Sequence, residues 1–283
     1  SITLENEMKP DSLLSGWWPT YISVQEAKNL GYYIPDSYSE SRVPKINFNT
    51  TDRVMKFCYD NGMGLRGHTL VWHSQTPDWF FRIDYDSSKG YVSKDVMDAR
   101  LEFFVKSVLK HVHQSQYGSC VYAWDVVNEY LNATDGNGWE QVYGKCGTSP
   151  SFVKKAFQYA DEILKSLNVR DDVSLFYNDF NTYINKNNVI KLVDFINSEG
   201  KICDGVGMQS HLGNQNPGTN NDIYPSVKYY IEALNAFVNK GYEVQITELD
   251  IMNDSQEQLS EYVYSLLSDI LNVKKNGGNI SGI

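Results

Sequence analysis

Short apolar runs alternate with longer amphipathic stretches along this chain. The runs cover residues 2–4, 64–66, 121–127, 173–177, 205–208 and 244–247. They are apolar at successive positions, which predicts strands buried on both faces. Between them the spacing predicts helices over 52–61, 93–113, 151–167, 186–197, 225–240 and 256–275. Ser93 and Asp95 supply capping chemistry, Ser149-Pro150 and Tyr224-Pro225 open helices, and Gly200 and Gly241 close them. Strands alternating with helices of this length predict βαβ units and a parallel sheet in an α/β fold. The segment 12–49 breaks the rhythm. It holds three Pro, two Gly, Trp17-Trp18 and one short helical piece near 24–30, and reads as a long decorated loop on a rim.

Polar clusters follow the strands and never precede them. In order they are Glu5-Asn6-Glu7 with Lys9, His68 with Trp72, His73 and Gln75, Asn128-Glu129, Asn178-Asp179, Gln209 with His211, and Glu248 with Asp250. In a parallel barrel the C-terminal strand ends line one rim, where active sites lie. Six sets of functional side chains therefore converge on one cleft. Glu129 and Glu248 each end an apolar strand, three βα units apart. Two facing carboxylates suit glycoside hydrolysis, with one as general acid and the other as nucleophile or base. The competing reading is an ion pair of either glutamate with Lys9 or Arg66.

Composition narrows the function further. The 283 residues are 41% hydrophobic, enough for a sizeable core. The net charge of −10 argues against nucleic acid and against an anionic membrane surface. No run of 18 apolar residues predicts a membrane-spanning helix. Four Cys, at 58, 120, 146 and 203, form no CxxC pair, so no zinc site is predicted. The histidines come from different strands without metal-binding spacing. His111 and His113 end a predicted helix and read as structural. Trp124 reads as core, while Trp17, Trp18 and Trp79 are rim candidates for stacking on sugar rings.

The motifs LENEMKPD, RGHTLVWHSQTPDWF, WDVVNE, YNDFN, GVGMQSH and ITELDI resemble those of family 10 glycoside hydrolases, the endo-β-1,4-xylanases. They keep that family's order and spacing from residue 1 to about residue 275. The resemblance implies a (β/α)8 TIM barrel, hydrolysis of xylan with retention, and no cofactor. It assigns Glu129 as acid/base and Glu248 as nucleophile. Asn128 matches the amide on the sugar 2-hydroxyl, His211 the histidine near the nucleophile, and Asp250 the carboxylate that orients it. Glu5, Asn6, Lys9, His68, Trp72 and Gln75 match the wall of the glycone subsites. Gln209 and Tyr177 complete the cleft, and Asn178 is a weaker member. The expected partners are xylan or xylo-oligosaccharides, with no metal, nucleic acid or membrane. A polymeric substrate implies a secreted or extracellular enzyme.

Two rival functions remain open from sequence. One is a related barrel β-glucanase. The other is a non-catalytic xylan-binding or inhibitor protein, because fold does not dictate function. The resemblance also implies one strand before LENEMKPD and one completed after Gly278. Residues 1–283 therefore read as a single catalytic domain lacking its first and eighth strands, with further domains of a longer polypeptide expected.

Overall fold

A computed structural model describes residues 1–213, 224–252 and 255–283. Its main sheet has seven strands, all parallel and in chain order: β1 (Ile2–Thr3), β2 (Leu65–Trp72), β3 (Val121–Asn128), β4 (Ser174–Asp179), β5 (Gly205–Met208), β6 (Glu243–Ile246) and β7 (Ile280–Gly282). That is one strand more than the alternation predicts. Ile280–Gly282 is apolar only at Ile280, so it carries no strand pattern alone, yet it pairs with β6. The outer strands β1 and β7 are each paired on one side only.

The strand interiors are buried, as strands covered by helices must be. β3 is buried at every position but Tyr122. The helices Asn49–Asp60, Lys94–Gln114, Ser151–Ser166, Lys186–Ile196, Val227–Asn239 and Gln256–Lys275 fall where the periodicity places them. Ser93 caps Lys94–Gln114 by accepting from the Val96 N–H. Helix termini leave backbone donors unpaired, and a capping side chain satisfies one of them.

The sheet curls. Arg66 on β2 reaches across the interior to Gln245 on β6, with Nη1 to Oε1 at 2.5 Å. Its guanidinium also lies 4.4 Å from the Phe176 ring centroid, on β4. Three strands share one side chain, which a flat sheet would not permit. This is the interior of a (β/α)8-type barrel, filled by side chains.

Residues 12–49 are more ordered than a loop. Tyr21–Ser23 pairs antiparallel with Arg42–Pro44, and the helix Val24–Asn29 lies between them. Ile22, Ala27, Val43, Ile46 and Phe48 are buried in the common core. His111 belongs to the same packing: its ring stacks on Phe48 at 3.7 Å and its Nε2 meets Asp52 at 2.7 Å. His113 accepts from Trp124 Nε1 at 3.0 Å, and burial pushes its imidazole down to about 4. Both histidines are structural.

Candidate active site

Two strand exits carry the glutamates. β3 ends at Asn128, and Glu129 comes next with φ 56°. Few non-glycine residues enter this left-handed region, and holding one there costs on the order of 1–3 kcal/mol. The Glu129 N–H donates to the Asn178 carbonyl at 2.8 Å, which ties the turn to β4. Its carboxylate accepts from Trp72 Nε1 at 2.7 Å and from Gln209 Nε2 at 2.9 Å. Both donors are neutral.

Glu248 leaves β6 differently. Its N–H donates to the Gln209 carbonyl at 3.2 Å, extending the β5–β6 pairing. Beyond it, Asp250–Ile251 pairs in parallel with His211–Leu212, with Asp250 directly opposite His211. Backbone register thus brings this histidine to this aspartate. His211 Nδ1 lies 2.5 Å from Asp250 Oδ2, and Nε2 lies 3.3 Å from Glu248 Oε2. Those carboxylates, Glu248 first, push His211 up to about 9 against its own desolvation. Burial works against the charged form of Glu248, but His211, His68 and the Asn178 amide outweigh it and hold this carboxyl below its ordinary range.

Buried amides connect the two glutamates. Asn178 Nδ2 donates to Glu248 Oε1 at 2.9 Å and to Asn128 Oδ1 at 2.9 Å. Gln209 Nε2 donates to that same Asn128 oxygen at 3.1 Å and onward to Glu129. Thr247 Oγ1 donates to Asn178 Oδ1 at 2.7 Å, which fixes which end of the amide faces Glu248. Gly207 lies opposite Asn178 in the β4–β5 register, and a Cβ there would meet Asn178 Oδ1 at 2.3 Å. The glycine leaves room for the amide that joins the pair.

The β1 exit forms the adjoining wall. Glu5 and Asn6 are exposed, and Lys9 is buried. Lys9 Nζ reaches Asn6 Oδ1 at 3.4 Å and sits 4.7 Å from the Trp72 ring centroid. Gln75 Nε2 touches the same Asn6 oxygen at 3.5 Å. Burial lowers the Lys9 ammonium, and the charges of Glu248, Glu5, Glu129 and Glu7 oppose that. Lys9 thus feels both Glu129 and Glu248, as a group facing their shared space must.

Among the described residues, neither glutamate pairs with Lys9 or Arg66. Arg66 is committed to Asp125, through Nε to Oδ2 at 3.0 Å and a second short contact from Nη2 to Oδ1. Asp125 also holds His68 Nδ1 at 2.9 Å. The ion-pair reading of Glu129 and Glu248 therefore fails, and the cation belongs to a buried floor beneath the site.

Two expectations need correction. Tyr177, expected to complete the cleft, is fully buried; its hydroxyl donates to Asp179 and accepts from the Leu131 N–H at 3.0 Å. Trp79, expected on the rim, is only 7% exposed, and its Nε1 donates to the Gly16 carbonyl at 2.7 Å. An aromatic beside a polar motif does not reveal its facing in sequence. Trp17 and Trp18 are exposed as expected.

Sequence reasoning missed the Asp125–Arg66–Gln245 floor, Thr247, and a cavity of about 270 Å³ beside Trp72. Tyr130, Trp139, Cys146 and Phe152 line that cavity together with His73, whose buried Nδ1 has no hydrogen-bond partner among the described residues. The signal for the floor was present: Arg66 and Asp125 are charged residues inside apolar strands.

The whole chain, residues 1–283, matches the sequence profile described as Glycosyl hydrolase family 10. Endo-1,4-beta-xylanase A of Butyrivibrio fibrisolvens is 54% identical over 282 residues, covering 100% of this chain and 66% of that protein. The bifunctional endo-1,4-beta-xylanase XylA of Ruminococcus flavefaciens is 38% identical over 273 residues, covering 93% of this chain and 25% of that protein. The solved CBM22-1–GH10 modules of the Clostridium thermocellum endo-1,4-beta-D-xylanase 10B, complexed with xylohexaose, superpose with a TM-score of 0.77 at 29% identity. That match covers 100% of this chain and 53% of the other. The chain therefore spans only part of the length of these relatives. With a profile matched from end to end, and a barrel whose strand exits gather the two glutamates, the chain belongs to glycosyl hydrolase family 10.

Proposed function

We propose that this chain is the catalytic part of a retaining endo-1,4-β-xylanase acting on xylan and xylo-oligosaccharides. One observation carries the reading. Glu129 and Glu248 lie at the two ends of one hydrogen-bonded line of amides and are held by opposite chemistry. Glu248, beside a protonated His211, is supplied as a carboxylate and attacks the anomeric carbon. Glu129 donates a proton to the leaving glycosidic oxygen as that bond breaks. A protonated carboxyl keeps acceptor capacity, so this role is compatible with the bonds from Trp72 and Gln209. In the second step Glu129 takes a proton from water, and the hydroxide displaces Glu248 from the sugar. Both displacements invert the anomeric centre, so the product retains its configuration.

Asn128 is aimed by two neutral donors onto its Oδ1, which leaves its Nδ2 to donate to a sugar hydroxyl. A bond of this kind that tightens in the transition state raises rate and not only affinity. Lys9, Asn6, Gln75 and Trp72 offer donors and a ring face to a neutral sugar. The names of the relatives support xylan as the polymer, and their greater length supports additional domains. A polymeric substrate supports action outside the cell.

The test is a pair of initial-rate measurements on xylan and a soluble cellulose, with proton NMR of the first product from xylotetraose. Xylan should be hydrolysed faster, and the β-anomer should appear first. A first-formed α-anomer would refute the double displacement. Equal or higher cellulase activity would replace xylan by β-glucan as substrate, and binding without cleavage would make the chain a xylan-binding protein.

A further inference from the structure

We propose that Asp179 is a positioning residue for Glu129, acting through Tyr177 and Asn132 on the segment 129–132. The inference rests on the hydrolase reading and adds a residue to it.

Asp179 ends β4 and is 1% exposed. A buried carboxylate is costly unless donors surround it. Three do. Tyr177 OH donates to Oδ2, while Asn132 Nδ2 and the Phe180 N–H donate to Oδ1 at 2.9 and 2.8 Å. Two of these donors lead back to Glu129. Asn132 lies three residues beyond it and also donates to the Phe180 carbonyl at 3.1 Å. The Tyr177 hydroxyl, oriented by its bond to Asp179, accepts from the Leu131 N–H. The chain leaving Glu129 is therefore held against the β4 exit by side chains that meet at one carboxylate.

Glu129 needs such a hold. Its left-handed backbone persists only where the surroundings over-determine it. Asn178 fixes the N–H of Glu129 itself. Asp179 and Tyr177 hold Leu131 and Asn132, two of the three residues after it. The groups facing Asp179 are Tyr177 on its own strand and Glu129 and Asn132 on the segment after β3. Burial pushes its carboxyl up to about 7, and the Glu129 charge adds to that push. Asp179 thus feels the charge of Glu129, although it does not open into the cleft.

A positioning role separates from a structural one by leaving group. Cleaving xylotetraose requires a proton on the departing oxygen. Cleaving 2,4-dinitrophenyl β-xylobioside does not, because dinitrophenolate departs unaided. In kcat/KM, which reports only the first displacement, Asp179→Asn should lose about 10- to 100-fold on xylotetraose, since a misplacement of an ångström costs about that much. On the dinitrophenyl substrate the loss should stay within about threefold, because proton transfer is the contribution removed. Equal losses on both substrates, or no loss on either, would overturn the proposal. If Asp179→Asn does not fold, Asn132→Ala removes one of the same bonds and must show the same selectivity. Glu129→Ala is the control and should show the largest selectivity of all. Its failure to do so would sink the hydrolase reading. Selectivity in Glu129→Ala without any in Asp179→Asn would sink only the role of Asp179.

Discussion

The two glutamates stand at matching places, each just past the end of an interior strand, yet their surroundings share almost nothing. Glu248 stands on a bend whose N–H still reaches across to the Gln209 carbonyl beyond the β5–β6 pairing, and it meets a cation, His211, that Asp250 holds in place. Glu129 is itself a left-handed residue and, among the described residues, its carboxylate accepts from two neutral donors, Trp72 and Gln209. Charge stabilises the first carboxylate, and geometry locates the second. The difference fits their proposed roles. A nucleophile must stay ionised, so its neighbours favour its charge. An acid/base must carry a proton at one step and lose it at another, so its neighbours should tolerate both forms.

The largest test of this contrast deletes each carboxyl in turn. Glu248→Ala should abolish turnover on every substrate, by about 10⁴-fold or more, as loss of a nucleophile does elsewhere. Glu129→Ala should cost about 10²- to 10⁴-fold on xylan, the usual contribution of general acid catalysis. Steady-state kinetics on both variants decides it. Equal losses on all substrates would mean that the asymmetry of the site has no chemical meaning.

Removing only the cation is a smaller perturbation. His211→Asn keeps a side chain in place but withdraws the charge from Glu248. We expect kcat/KM to fall about 10- to 100-fold, the size of one charge-assisted hydrogen bond. The sign of the pH effect comes from the raised His211 value of about 9. Folding favours its protonated form, so that contribution to stability is fully present below the ordinary histidine value near 6.5. It is lost as pH rises through about 9. Thermal unfolding followed from pH 6 to 10 should show a fall in Tm across that window in the wild type and a flatter curve in His211→Asn. Parallel curves would separate His211 from Glu248.

Much of this contrast was legible in the sequence, for identifiable reasons. Periodicity located the strands because both faces are buried, and position after a strand located the polar clusters because barrel exits share one rim. Glu129, Glu248, Asn128, His211 and Asp250 all emerged that way. What sequence could not supply was facing. Tyr177 and Trp72 are both aromatics within polar motifs, yet one is sealed in the core while the other bonds Glu129. Nor could it supply long-range pairing: Arg66 faced two carboxylate candidates on paper, Glu129 and Glu248, whereas the neighbouring strand gives it Asp125 and the curl of the sheet gives it Gln245. β7 stands where the resemblance places the start of a further strand, although its three residues, with one apolar side chain, form no pattern on their own.

The finest test touches the amide that joins the two halves. Asn178 donates to both sides, and this works only if its oxygen points away from Glu248. Thr247 enforces that orientation through its hydroxyl, and Gly207 leaves room for it. Thr247→Val preserves shape and removes the hydroxyl. The amide oxygen then loses its donor, and stability should fall by about 1 kcal/mol, the net value of one neutral hydrogen bond. Activity should fall only a fewfold, because Asn128 and Glu248 still favour the donor end. Gly207→Ala should cost more than Thr247→Val in both respects, since its methyl would displace the amide itself. Urea unfolding and xylotetraose kinetics on the two variants order these effects. The reverse order would mean that Asn178 is held by something other than this pair, and that the line between the glutamates does not depend on it.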